Sequence, residues 1–486
     1  MHRSPSCALG LARGVAAFVL LLAAAGDPAR ADDAYEPAAP PAARPTYRTL
    51  RFEEDWSGLR DPSALPARDL FDPVKFLALD RDGTIWLSLG GQARARLEGW
   101  SNYEFGADPG DDTDDVYFQT RLRAHADLHL GETFRVFAEA KSALVTDVSL
   151  PGGDGPTRRD VLALQNGFLE IAPPIAGRRP LVLRGGRQEL LFGAQRLVSP
   201  SDWTNARRTF DGASAELSVG EAKATAFWLY PVQVRERKTN DHRDDDRFYG
   251  VYATSRLPLD ANLDLYWLGR QRDHATVNGT SGRENRQTFG ARGFGPLGDT
   301  GLDLEIESAV QTGRVGDGSV LAGMATAELG WWLVDAPFSP RIHGAFDYAS
   351  GDPEPGGDAG TFDPLFPYGH RWLGQLDLVG RRNIAAASGG VSLRPYTATT
   401  ATLAFHQFWR ASTRDALYDA TGAVVRSADG GSRRVGCELD LVLGYRLDPH
   451  TLIDAGYGHF FTGDFIRETG RSRDADFAYL SIQYTM

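Results

Sequence analysis

Cysteine is almost missing from this chain. Its 486 residues include two, Cys7 and Cys437. Long apolar runs are missing too. Past the N-terminus, no segment holds the roughly 18 uninterrupted apolar residues of a membrane-spanning helix, and mean hydropathy is −0.32. By length alone, two or three soluble domains would be expected. Chemistry-bearing motifs are equally scarce. There is no G-x-S-x-G elbow, and His242, His274, His343, His370, His406 and His459 show no metal-ligand spacing. "GFGPLG" (293–298) matches a dinucleotide fingerprint by letter, but it contains proline and no helix follows it. Asn278-Gly279-Thr280 matches a glycosylation acceptor by letter alone and is given no weight. Ser199 and Ser201 lie near charged residues with no positioned histidine. Catalytic residues, a metal, a cofactor and a nucleic-acid partner are therefore not expected.

What is present begins at the N-terminus. Arg3 and Arg13 precede an apolar run from Val15 to Ala25, followed by Ala29-Arg30-Ala31. This reads as a secretory signal peptide, residues 1–31, cleaved after Ala31. Three arginines and one aspartate leave with it, moving the formal charge from −12 to −14. Only Cys437 would then remain, so no intrachain disulfide is expected and the exported chain is not a disulfide scaffold. Residues 32–84 form a lead segment, rich in proline and alanine over 32–50.

From residue 85 to 486, one pattern repeats. Segments of about 10 to 15 residues alternate apolar with polar or small side chains, the period of a strand. In 116–130, Val116, Phe118, Leu122 and Leu128 oppose Gln119, Arg121, Arg123, His125 and Asp127. Leu89, Ala93, Ala95 and Leu97 oppose Gln92, Arg94, Arg96 and Glu98; Leu263, Leu265 and Trp267 oppose Asp264, Tyr266, Arg270 and Arg272. Leu439, Leu441, Leu443 and Tyr445 likewise oppose Glu438, Asp440 and Arg446.

Soluble sandwiches alternate as well, so the connections decide. Long polar stretches (101–115, 146–161, 193–207, 236–246, 273–285, 350–386, 411–433, 463–474, and a modest one at 312–320) alternate in phase with short turns. About 18 strands result. This is the layout of an all-β, transmembrane antiparallel up-and-down barrel with long outer loops and short periplasmic turns. Apolar side chains then face lipid and polar ones the lumen, because only helices and closed barrels satisfy every backbone group in hydrocarbon. Trp100, Tyr103, Trp228, Tyr230, Trp331, Trp332 and Tyr457 suit an interfacial aromatic girdle. The last strand places Ala478, Leu480, Ile482, Tyr484 and Met486 on one face; Met486 departs from the usual terminal aromatic residue.

The polar face carries Arg94, Arg96, Arg121, Arg123, Arg184, Arg270, Arg272 and Arg292, while acid concentrates in loops such as 111–115 and 244–246. Several strands carry arginine pairs without equal acid nearby in sequence. A charge that does not titrate, on a planar fork that matches a carboxylate, suits a path for anions. The alternative is that luminal arginines pair with luminal acids as structural ladders. The alternation turns Arg184 and Gln188 inward and Arg187 outward, unless Gly185-Gly186 hosts a bulge; the register over 184–196 stays open.

"RFEEDWSGLRDPS" (51–63), "DPVKFLAL" (72–79), "LSLGGQARARLE" (87–98), "GRQELLFGAQRLVSPSDWTNARRTFDG" (186–212), "GTFDPLFPYGH" (360–370) and "GYGHFFTGDFIRETG" (456–470) together resemble the alginate-export family of outer-membrane proteins. The likeness runs along essentially the whole mature chain and is most specific over 186–212. It implies a monomeric 18-stranded barrel that passes an anionic uronic-acid polysaccharide through an electropositive constriction. Arg187, Arg196, Arg207 and Arg208 would belong to or near that constriction, with Glu189 and Asp211 as acidic partners. The cargo does not transfer with the fold. The expected function is thus an outer-membrane, anion-selective channel that is not an enzyme. Its expected partners are an anionic polysaccharide or small anionic solute, outer-membrane lipid, and periplasmic polysaccharide-secretion proteins. The alternatives are a general or small-anion porin, and an enzyme or adhesin on a barrel scaffold.

Overall fold

The structure, a computed structural model, describes residues 45–61, 68–106, 112–175, 178–236, 238–277, 279–354, 356–428 and 431–486. The expected signal peptide (1–31, with Cys7) and residues 32–44 lie outside the described residues.

Eighteen barrel strands run along the described residues: β1 (Ile85–Ser101), β2 (Asp115–Leu130), β3 (Phe134–Val145), β4 (Asp160–Ile171), β5 (Leu181–Gln188), β6 (Phe210–Val219), β7 (Ala222–Gln233), β8 (Asp246–Arg256), β9 (Asn262–Val277), β10 (Thr280–Pro296), β11 (Leu302–Val315), β12 (Gly318–Trp332), β13 (Arg341–Ala349), β14 (Ile384–Leu393), β15 (Thr399–Arg410), β16 (Arg434–Arg446), β17 (Thr451–Thr462) and β18 (Ala475–Thr485). Each pairs antiparallel with its sequence neighbours, and β18 closes on β1 from Gln92↔Thr485 to Ser101↔Asp476. No strand edge is left for lipid, where an unpaired backbone group costs several kcal/mol, roughly the full desolvation penalty.

The period-2 pattern sorts the two faces. On β2, Val116, Phe118 and Leu122 are 69%, 42% and 56% exposed, while Arg121 on the other face is completely buried. An apolar outside around a charged inside is the inverse of a soluble domain. Only hydrocarbon outside and an enclosed polar interior make it stable.

Two outer connections differ from expectation. β9 and β10 continue through the expected 273–285 loop and pair down to Val277↔Thr280. β11 and β12 likewise pair to Val315↔Gly318, with Gly316-Asp317 between them. The polar residues there are strand extensions, and Asn-Gly and Gly-Asp are two-residue hairpin signals. The aromatic girdle also needs correction. Trp228, Trp331 and Tyr457 do face outward, at 50%, 47% and 40% exposure. Trp100 pairs with inward-facing Phe477, packing against it at a tilt and edge-on against Tyr103. Trp332 pairs with Arg341, which reaches Asp303 and Glu328 on the inward face. An aromatic residue near a strand end follows its register, whichever face that is.

The lead segment is part of the barrel's filling. Phe52 packs edge-on against inward Phe137 and Phe168. Arg51 donates to the carbonyls of Gly91 and Met486, and Tyr47 and Asp69 both bond His450. These partners lie on β1, β3, β4 and the ends of β17 and β18, so the segment sits inside the short-turn mouth.

Candidate functional site

Two long connections fold inward and meet in the interior. Residues 189–209 leave β5 and reach β1, β2 and β18 on one side and β11 on the other. Arg94 and Arg121 donate to the Asp202 carbonyl, each at 2.9 Å, Trp203 packs edge-on against Tyr479, and Arg196 pairs with Glu305 and Glu307. A segment touching walls on both sides must lie inside. Residues 350–383 join it: Ser199 N–H bonds the Phe366 carbonyl at 2.9 Å, and His370 stacks on Trp203 with centroids 3.6 Å apart. Phe366 packs edge-on against Phe210 and Phe248, within an apolar cluster that runs through the interior.

The arginines converge on this crossing. Asp202 is held by Arg121 at 2.8 Å and by Arg207. Burial favours its neutral form, but Arg121, Arg207 and Arg94 outweigh that and hold its carboxyl well below the usual range. Its side chain is still 35% open to lumen water. Arg96 lies 3.8 Å over the Trp203 ring and pairs with Glu98 at 2.6 Å. Arg123 and Arg207 share a carboxylate pair: Arg123 binds Glu139 at 2.5 Å and Glu189 at 3.5 Å, and Arg207 binds Glu189 at 2.6 Å.

A bulge on β4 builds that network. The register passes from Glu139↔Asn166 to Ala140↔Leu164, leaving Gln165 unopposed. Two consecutive polar side chains, Gln165 and Asn166, are therefore buried together, and both bond Glu189, at 2.8 and 3.2 Å.

The other expected residues fall in three groups. Arg184, Arg270, Arg272 and Arg292 face inward, each ion-paired: Arg184 with Glu170 (2.7 Å), Arg270 with Asp246 (2.7 Å), Arg272 with Glu284, and Arg292 with Asp264 (3.0 Å) and Glu305 (2.7 Å). The expectation of arginines lacking acid is thus corrected. Partners come from neighbouring strands and inturned loops, remote in sequence, and so form cross-strand pairs. Arg94 and Arg208 differ: among the described residues they have no carboxylate within ion-pair distance. Arg94 donates to carbonyls and Asn205, and Arg208 to the Ser199 carbonyl. Burial and nearby Arg270 lower Arg208 to about 10, which leaves it charged at neutral pH.

Arg187 and Asp211 stand apart. The β5 register is unbroken from Ile171↔Leu183 to Gly167↔Arg187, so there is no bulge at 185–186. Gly186 is needed for close approach: at φ 132°, a Cβ would meet the Gly167 carbonyl at 2.3 Å. Arg187 therefore points outward and pairs with Asp211 at 2.7 Å, beside His242 and Asp241 at the outer rim.

Sequence reasoning missed Asp202, Trp203, Asp363 and the pair Arg381–Asp347 (2.8 Å). Asp363 sits between Arg382 at 3.0 Å and Arg272 at 3.4 Å. Apart from Asp347 on β13, these lie in loops whose inward course only long-range contacts reveal, although "DWTNARR" and "TFDPLF" stood inside the motifs that carried the family resemblance.

The profile of a family described as "Alginate export" matches residues 85–479, essentially the whole barrel. No curated protein sequence matches. Among solved structures, the chain resembles Pseudomonas aeruginosa OccK11 (OpdR) at TM-score 0.54 and 12% identity, covering 82% of this chain and 96% of that one. It resembles OpdQ of the same organism at TM-score 0.54 and 12% identity, over 82% and 98% of the two chains. The outer membrane protein OprD follows at 0.52 and 12%, over 82% and 93%. At such identity the likeness concerns the fold.

Proposed function

The chain belongs to the alginate export family, and on that premise we propose that it is a passive outer-membrane channel for an anionic, polyuronate-like saccharide. The observation that carries this reading is the pairing of Arg121 and Arg207 with one carboxylate, that of Asp202, which is itself partly open to water and whose backbone carbonyl Arg94 holds. At rest, Asp202 occupies the guanidinium forks. A uronate carboxylate of the cargo offers the same planar acceptor and exchanges with it. Handing a chain of carboxylates from fork to fork lets each bind well enough to enter and weakly enough to leave. No chemical step is required, and the residues act by charge and shape.

The inturned segments 189–209 and 350–383 set the bore. Their ion pairs are the contacts that must shift for a polymer to pass. The acid pairing of most luminal arginines favours a second reading, a porin for small anions or other solutes. Planar-bilayer recording separates the two. Anion-selective current blocked by polyuronate supports the first, and anion-selective current indifferent to the polymer supports the second. Cation selectivity without polyuronate block would remove the saccharide reading.

A further inference from the structure

The lead segment covers an apolar floor in the charged lumen. Phe137 on β3 and Phe168 on β4 are register partners on the inward face, with their rings stacked 5.4 Å apart. His125 on β2 stacks on Phe137 at 5.3 Å and continues the row. Both phenylalanines are buried, at 1% and 3% exposure, and Leu50, Phe52 and Leu191 pack against them. Two arginines flank the floor. Arg184 lies 4.5 Å from the Phe168 centroid and 4.4 Å from that of Phe52, and Arg135 lies 5.7 Å from that of Phe137.

The wall also offers more donors than its own acids take up. Arg135 binds both oxygens of Asp127, and its Nη2 donates again to the Phe52 carbonyl at 2.7 Å. Arg207 pairs with Glu189 and Asp202, and its Nη2 donates again to the Thr49 carbonyl at 3.2 Å. The His125 Nδ1 is buried without a hydrogen-bond partner. A buried polar group left unmet is costly, so this surface needs an occupant with acceptors and an apolar face. Residues 49–52 supply both: side chains on the floor, carbonyls on the arginines.

A uronate unit has the same two parts. Its ring presents a face of C–H bonds, and its carboxylate matches a guanidinium more strongly than a neutral carbonyl does. On the saccharide reading above, we propose that His125, Phe137, Phe168, Arg135 and Arg184 form an entry subsite for one uronate unit at the short-turn mouth, which residues 49–52 occupy at rest as an intramolecular competitor. Cargo and segment exclude one another there. A site open in only a fraction of the molecules binds its ligand more weakly by that fraction, so loosening the segment tightens cargo binding.

The test uses the full chain folded in detergent micelles, with labelled oligouronate followed by fluorescence anisotropy and the lead segment followed by trypsin. Arg51 is 2% exposed while the segment is seated. Saturating oligouronate is expected to speed cleavage after Arg51 by about fivefold or more, because cleavage tracks the open population; a neutral glucan is expected to leave it unchanged. Phe52→Ala is expected to bind oligouronate about tenfold more tightly than wild type, and Phe52→Ala/Phe168→Ala to lose that gain. Should either variant fail to fold, the wild-type cleavage assay decides alone. Cleavage indifferent to bound oligouronate, or wild-type affinity in a folded Phe52→Ala, would overturn the subsite and leave the channel reading standing. Oligouronate that binds neither wild type nor variant would remove both.

Discussion

Asp202→Asn probes the crossing most informatively. The side chain keeps its shape, so Arg121 retains an oxygen acceptor, while one negative charge leaves the group formed with Arg94, Arg121 and Arg207. Stability should fall by only about 1–3 kcal/mol, the worth of a charge-assisted hydrogen bond. Arg207 keeps Glu189 at 2.6 Å, and Arg94 and Arg121 keep the Asp202 carbonyl. The effect on permeation is larger. An anion passing about 8 Å from the lost charge gains about 0.5 kcal/mol at water-like dielectric and about 2 kcal/mol at a protein-like value near 20. That converts to a gain in anion permeability of roughly two- to thirtyfold, reduced by salt above about 0.1 M as screening sets in. Reversal potentials under a KCl gradient across a planar bilayer read it directly. An unchanged potential, or a shift toward cations, would refute the assignment of Asp202 to the permeation path.

Other expectations follow from the same geometry. Leu122→Arg puts a charge on the lipid face in mid-strand and should cost about 2–4 kcal/mol in reversible folding into vesicles; a change below about 0.5 kcal/mol would reverse the face assignment. Arg207→Met leaves Glu189 with the longer Arg123 contact as its remaining ion pair, beside its Gln165 and Asn166 hydrogen bonds, and frees the lead segment's Thr49 carbonyl. It should destabilise the fold by about 3–5 kcal/mol, as for breaking a buried pair, and increase proteolysis within 189–209. Lys75 is buried under Tyr47 and Trp56, and burial with nearby Arg51 lowers it from 10.5 to about 8. Between pH 8 and 10.5 the unfolded chain holds a proton that the folded chain does not, so stability should rise across that window by about 3 kcal/mol in total. Lys75→Met should abolish that rise in denaturant titrations at pH 8 and pH 10.

The barrel was legible because a strand's period of two writes both environments into one line of sequence. Arg121 and Arg123 alternating with Leu122 and Ala124 require an inside and an outside. The course of the loops was not legible. Nothing near Asp202 in sequence announces that Arg121, some eighty residues earlier, will hold it. The β4 bulge that turns Gln165 and Asn166 inward together breaks the very period used for reading, and the two-residue outer hairpins hid inside polar stretches that strands can extend through. Family resemblance located 186–212 as important, yet strand register separated its members: Arg207 faces the interior, and Arg187 with Asp211 the outer rim.

Release from proteoliposomes tests the central claim most directly. Vesicles carrying the full chain would be loaded with labelled oligouronate and with a neutral glucan of equal size. The account predicts protein-dependent release of oligouronate well ahead of the glucan, slowed by high salt and weakened by Arg94→Ala. Equal release of both, or faster release of the neutral polymer, would contradict it.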